Sequence, residues 1–188
     1  MKQARTLTDK QLKQVLAHCS TRRHASRDRA IVLVSHLAGL RAKEIAMLTV
    51  SNVRTEEGAI WEEFVLSPQQ TKGRKARRVF LSTKLRTELA AYLKQAKLRR
   101  TSEALFQSQK GAAFSANTLC QLLLRIYDAA GFADATSHSG RRTLITSLAA
   151  KGVSVRVLQE IAGHSSLALT QRYIDVNDEQ MRRAVELA

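Results

Sequence analysis

The sequence has little of what staples or stiffens a small protein. Its 188 residues include 2 cysteines, 1 proline and 1 tryptophan, and aromatic residues make up only 5%. Cys19 and Cys120 lie far apart, with no CxxC or Cys/His spacing, which argues against a disulfide framework and a zinc knuckle. Both fall in helical patterns and read as small buried hydrophobes. No apolar run approaches the ~20 residues of a membrane span. The basic start Met1-Lys2-Gln3-Ala4-Arg5-Thr6 has no apolar stretch behind it, so no signal peptide is expected either. Acidic residues are scarce as well: 16 Asp and Glu stand against 31 Lys and Arg, a formal net charge of +15. Self-repulsion of that size does nothing for folding, so a polyanionic partner is expected, nucleic acid first and an anionic membrane surface second. With 44% hydrophobic residues the chain can build a core, which excludes disorder throughout. The expectation is a basic, soluble domain of a reducing, cytoplasmic compartment.

What is present is mostly helical periodicity. Thr8-Asp9-Lys10-Gln11 is a capping box, opening a helix with Leu12, Val15 and Leu16 on its apolar face. Residues 25–38 read as a buried helix, apolar at Ala30, Ile31, Val32, Leu33, Val34 and Leu37, with Gly39 as its stop. Arg41 follows, then a short helix from Ala42 with Ile45, Met47 and Leu48 turned inward. Between Gly58 and Ser82 the period becomes that of strands. Segments 59–66 and 77–81 are β-rich, and the intervening 67–75, with Pro68 and Gly73, is a turn carrying Lys72, Arg74 and Lys75. Helices resume over 83–98, 115–130, 138–150, 155–162 and 167–173. A second capping-box pattern, Asn177-Asp178-Glu179-Gln180, opens a last one with Met181, Ala184, Val185 and Leu187 on one face. The expected fold class is mainly α with a small antiparallel β-sheet, an α+β arrangement in a single domain over 1–188.

Chemistry concentrates in His138-Ser139-Gly140-Arg141-Arg142, Gly163-His164 and Tyr173, with Gly39-Leu40-Arg41-Ala42-Lys43-Glu44 upstream. His138 and Arg141 are three apart and on a helix point the same way. His164 follows a helix-stopping glycine, at a turn from which its ring can project into a cleft. Tyr173 lies nine residues further on. Singly, each has a duller reading. An arginine past a helix end is usually solvated, a lone histidine is usually structural, and a tyrosine late in an amphipathic helix is usually core. Tyr92 and Tyr127 are expected in the core, and His24 and His36 to be structural. Those readings predict no order or spacing among the residues.

The order and spacing resemble the tyrosine recombinases, the phage-integrase family. That pattern is an arginine in a G-L-R-x-x-E context, here Arg41 with Glu44 in support, and a lysine in a β-hairpin turn, here Lys72. There follow H-x-x-R, here His138 and Arg141, then G-H, here His164, and a nucleophilic tyrosine nine residues on, here Tyr173. The resemblance covers the chain from about Leu7 to its end. It implies metal-independent cutting and rejoining of DNA through a 3′-phosphotyrosyl link, with no cofactor. Arg41 and Arg141 would grip the phosphate as planar forks that keep their charge. A phenol of ordinary pKa, about 10, needs help to attack, and His138 would take its proton. Lys72 would be the general acid, although Lys75 shares the loop, and His164 would hydrogen-bond the phosphate. Arg74, Lys75, Arg77 and Arg142 are expected to contact DNA from a solvated basic face.

The resemblance also implies duplex DNA as partner, a homo-tetramer on DNA with a monomer when free, and a role for an accessory DNA-binding protein. Two other readings share the fold: a DNA-binding regulator without catalysis, and a nicking-closing, topoisomerase-like enzyme. Gly140 departs from the pattern, where leucine is common, and a mid-helix glycine costs about 1 kcal/mol against alanine. The DNA-binding domain that usually precedes this catalytic unit has no counterpart before the first helix, as in catalytic-domain-only recombinases or in a chain trimmed to that domain.

Overall fold

Thr8 Oγ1 accepts from the Gln11 backbone N–H while Gln11 Oε1 accepts from that of Thr8, so α1 (Asp9–Ser20) begins where the capping box places it. The computed structural model describes residues 3–71, 73–98, 103–174, 181, 182, 185 and 186. The capping pattern at Asn177–Gln180 lies outside the described residues, as does Lys72.

The five consecutive apolar residues Ala30 to Val34 leave α2 (Ala25–Leu37) no polar face in its middle, and all five are buried. A helix apolar all round must lie inside, and α2 accordingly packs against α1, α5 (Thr83–Ala96) and α7 (Ser139–Ala150). Two of its buried polar residues find side-chain partners. Asp28 takes ion pairs from Arg22 and Arg27, and His36 Nε2 lies 3.1 Å from the Tyr127 hydroxyl. Burial pushes the His36 pKa down to about 4, so its imidazole is neutral at physiological pH. Tyr92 and Tyr127 are core residues, as expected. Cys19 is buried and Cys120 half-buried.

After Gly39 the chain turns into α3 (Ala42–Ala46) and a short α4 (Val50–Val53) that periodicity did not reveal. Met47 is exposed rather than inward, because α3 ends at Ala46 and the chain leaves helical phase, bringing Leu48 into the core instead. The sheet has two strands, β1 (Glu63–Leu66) and β2 (Arg77–Phe80), antiparallel with Phe64 opposite Val79 and Val65 opposite Arg78. Both strands are shorter than their β-rich runs. Ile60 instead forms an isolated bridge with Arg54, which ends α4. Phe64, Leu66 and Val79 face inward, leaving Val65 and Phe80 outside. The stem of the connecting turn is pinned by Gln70, whose Nε2 donates to the Met47 carbonyl at 2.9 Å and to Asn52 Oδ1 at 3.0 Å.

The rest is helical: α6 (Ala116–Ala129), α8 (Val155–Ala162) and α9 (Leu167–Gln171) complete a mainly α fold with one small sheet, the expected class. No helix among the described residues is long and apolar enough to cross a membrane. The core runs continuously from Leu7 to Ala135, and α7, α8 and α9 close one side of it.

Gly140 is not a mid-helix cost. It is the second residue of α7, at the crossing with α2, where an added Cβ would collide with Ser35 Oγ and stand 2.9 Å from the Ser35 carbonyl carbon. The two backbones approach this closely only because the side chain is missing. Gly140→Ala therefore reverses the usual sign of a helical glycine-to-alanine change. We expect a loss of about 1–3 kcal/mol by urea unfolding, the range for overpacking; a neutral or stabilising result would show that the crossing relaxes freely.

Candidate active site

A helix ends with carbonyls that have no partner inside it, and a guanidinium is a fitting donor to them, its positive charge meeting the negative end of the helix dipole. The C-terminus of α8 is built this way. The Ile161 carbonyl accepts from Arg77 Nη1 at 2.7 Å, and the Ala162 carbonyl accepts a short hydrogen bond from Arg141 Nη2. Arg141 Nη1 donates 2.8 Å to the carbonyl of Gly39, just beyond the end of α2. Arg141, at 3% exposure, thus bridges the ends of two helices from the first turn of a third.

One buried carboxylate organises the other two arginines. Glu44 accepts from Arg41 Nη1 at 2.9 Å and from the Arg41 backbone at 2.8 Å, which also closes the first turn of α3. Oε2, which takes the backbone bond, also accepts from Arg77 Nη2 at 2.8 Å, while Oε1 takes Arg41 Nη1. Arg41 and Arg77 thereby share one carboxylate and Arg141 lies within electrostatic reach of all three, so three cations face one anion, leaving two positive charges over. Burial, then the like charges of Arg41 and Arg77, draw the pKa of Arg141 down to about 9, still well above neutrality. Arg77 is shifted down in the same way, mainly by burial.

Gly163 ends α8 with φ of +57°, a left-handed turn that L side chains seldom adopt, and His164 follows. His164 Nδ1 is 2.9 Å from Thr170 Oγ1, and its ring stacks on that of Tyr173 with centroids 5.4 Å apart and planes 20° from parallel. The short α9 sets this geometry: nine residues with one helical segment fold the tyrosine back over the histidine. Arg142 covers the tyrosine ring, its Cζ 5.9 Å from the centroid, and Thr146 Oγ1 donates to the Tyr173 carbonyl at 3.2 Å. Burial first, then Arg141, Arg41 and Arg77, hold the pKa of His164 down to about 4, so the imidazole is neutral at pH 7.

Of the residues singled out from sequence, Arg41, Glu44, Arg141, His164 and Tyr173 meet in this cluster. His138 is the N-cap of α7 and exposed, whereas Arg141 is buried, so the spacing of three does not give the pair a common environment. Arg74 and Lys75 are exposed in the hairpin turn, and Arg142 is half-buried over Tyr173. Arg77 departs from expectation: rather than standing on a solvated face, its side chain is only 9% exposed and lies inside the cluster. Sequence reasoning also missed Thr170 and the carbonyls of Gly39, Ile161 and Ala162. The helix stops at Gly39 and Gly163 were a signal for the carbonyls, since stops mark where unpaired acceptors gather. Among the described residues no group of three or more His, Cys, Asp or Glu is arranged to hold a metal.

The phage integrase family model matches residues 5–180. The chain belongs to the phage integrase family. It is 29% identical to the tyrosine recombinase XerA of Pyrococcus furiosus, over 98% of this chain and 62% of that protein. Identity to XerA of Thermococcus kodakarensis is 32%, again over 98% and 62%. The chain thus spans just over three-fifths of the length of these relatives. Among solved structures, an XerA recombinase superposes with a TM-score of 0.77 at 26% identity, over 99% of this chain and 66% of that one. The catalytic domain of bacteriophage HP1 integrase shares the fold, with a TM-score of 0.60 at 23% identity over 91% of this chain and 87% of that one.

The low pKa of His164 gives a test. An anion placed among the cations offsets their share of the shift, though not that of burial, so binding duplex DNA should raise the His164 midpoint part of the way from about 4 toward 6.5, with proton uptake within that range. Histidine NMR titration of the free and DNA-bound protein measures this directly. A midpoint unmoved by DNA would mean that the cations do not act on this ring, and a free-protein midpoint near 6.5 that neither they nor burial does.

Proposed function

We propose that this chain cuts and rejoins duplex DNA by site-specific recombination, with Tyr173 as nucleophile. The observation that carries the reading is the stacking of Tyr173 on a neutral His164 beside arginines gathered around one carboxylate. A phosphodiester anion among those arginines is neutralised in the ground state and more strongly as charge builds on the phosphorane-like transition state. Arg41, less buried than Arg141, is the fork that turns from Glu44 toward the phosphate, while Arg141 supplies fixed charge from below.

The Tyr173 phenolate attacks phosphorus, forming the 3′-phosphotyrosyl bond and breaking the bond to the 5′-oxygen, which leaves as a hydroxyl after protonation. The 5′-hydroxyl of a partner strand reverses the step. One phosphodiester is exchanged for another, so no external energy source is needed. His138 is the base for the tyrosine proton, and His164 hydrogen-bonds the phosphate. The proton for the leaving 5′-oxygen comes from Lys72 or Lys75 on the hairpin turn. Arg74 and Arg142 hold the duplex, consistent with the excess of 31 basic over 16 acidic residues. Residues 1–188 act as the catalytic domain, and exchange between two duplexes, with one tyrosine per strand cut, calls for a tetramer assembled on DNA. The similarity to proteins named tyrosine recombinases supports this reading.

A nicked duplex that loses its 5′-hydroxyl fragment after cleavage traps the covalent intermediate. With EDTA present the protein should form an adduct that survives denaturing electrophoresis. Tyr173→Phe should abolish the adduct while leaving duplex affinity within a few-fold. An adduct that persists in this variant would remove Tyr173 as nucleophile, and a need for divalent metal would overturn the mechanism.

A further inference from the structure

Arg77 sits at the root of the basic turn, yet its side chain points away from it. One terminal nitrogen donates to Glu44 Oε2 at 2.8 Å and the other to the Ile161 carbonyl at 2.7 Å, three residues before His164. At 9% side-chain exposure it cannot reach a DNA groove without surrendering both bonds. Gly163 is shaped around it. A Cβ there would run into Arg77 Cδ and stand 2.9 Å from Nε, so the turn that delivers His164 requires glycine both for its φ of +57° and for the arginine beside it. The far stem of the same turn is held to the end of α3 by Gln70, which donates to the Met47 carbonyl. Both roots of the basic turn are thus tied to the α3 segment that carries Arg41 and Glu44.

Resting on the cleavage reaction proposed above, we infer that Arg77 is a positioning residue. It is a strut that fixes the α8 terminus and His164 against Glu44, and through Glu44 against Arg41. Two independent groups, one on the α3 side and one after α8, must meet the same phosphate. Without a rigid link between them their separation would vary with the packing of α8. A planar fork suits this role because its two ends are set at a fixed spacing and angle. A surface DNA contact predicts the opposite pattern, with exposure, free donors and no constraint at Gly163.

The test is single-turnover adduct formation on the nicked duplex at saturating protein, comparing the parent protein with Arg77→Ala and Arg77→Lys, each checked by thermal melting. Duplex affinity is measured separately in the Tyr173→Phe background. We expect Arg77→Ala to slow the saturated rate about 100-fold, as expected from roughly 1 Å of misplacement, with duplex affinity within a few-fold of the parent. Arg77→Lys should recover the rate only in part, since an ammonium keeps the charge but cannot hold both acceptors in the same geometry. Read in variants that melting shows to be folded, the His164 midpoint is a second readout, since unfolding would carry it all the way to the ordinary value of 6.5. The groups acting on this ring are Arg41, Arg77, Arg141, Thr170, Tyr173 and, across the tyrosine, Arg142. Removing one cation in Arg77→Ala should raise the midpoint above about 4, whereas Arg77→Lys should leave it nearly in place. Weakened affinity with an unchanged saturated rate would make Arg77 a DNA contact and overturn the proposal. So would an unfolded Arg77→Ala accompanied by an Arg77→Lys that cleaves at the parent rate. Absence of any adduct from the parent protein would instead refute the cleavage reading itself.

Discussion

The carboxylate of Glu44 lets three guanidinium groups share one small volume in a protein already carrying +15. Like charges this close repel, and burial removes the water that would screen them. Glu44 is itself fully buried, and with both oxygens engaged by Arg41 and Arg77 it is the counter-charge that makes the cluster affordable. It is deliberately insufficient. Two positive charges remain, which under the proposed cleavage reaction is the charge that a phosphodiester would neutralise.

Helix ends do the remaining work. Arg141 and Arg77 take the carbonyls of Ala162 and Ile161 at the end of α8, and Arg141 also takes that of Gly39 beyond α2. Those acceptors would otherwise be unsatisfied, so the site and the terminations of two helices are a single construction. Burial, and after it the same cations, suppress protonation of His164, leaving a neutral ring under Tyr173. Packing enforces the arrangement from below. Gly140 lets α7 close onto α2, which sets the depth at which Arg141 emerges next to Gly39.

Much of this was legible in the sequence where the physics is local. The capping box at Thr8–Gln11 marked the start of α1, the apolar run Ala30–Val34 marked a buried helix, and Gly39 and Gly163 marked helix ends. The nine-residue step from His164 to Tyr173 carried the stacked pair, since a turn and one short helix suffice to bring the rings together. What could not be read was set by contacts distant in sequence. Gly140 looked like a helix defect because its use lies in Ser35, on another helix. Arg77 looked like one of several surface cations because its partners, Glu44 and Ile161, are 33 and 84 residues away. His138 and Arg141 fit a helical spacing, but the helix begins between them, and one stays outside while the other is buried.

The central claim, that one buried carboxylate gathers the cations, is tested most directly by urea unfolding of Glu44→Gln at neutral pH, with and without added phosphate. The substitution keeps the shape and removes the charge. The account predicts a loss of about 3 kcal/mol, as for a buried ion pair deprived of one partner, and a larger gain from phosphate than the parent protein shows, because the anion now supplies the missing charge. An unfolding free energy equal to the parent's, with no greater response to phosphate, would contradict it.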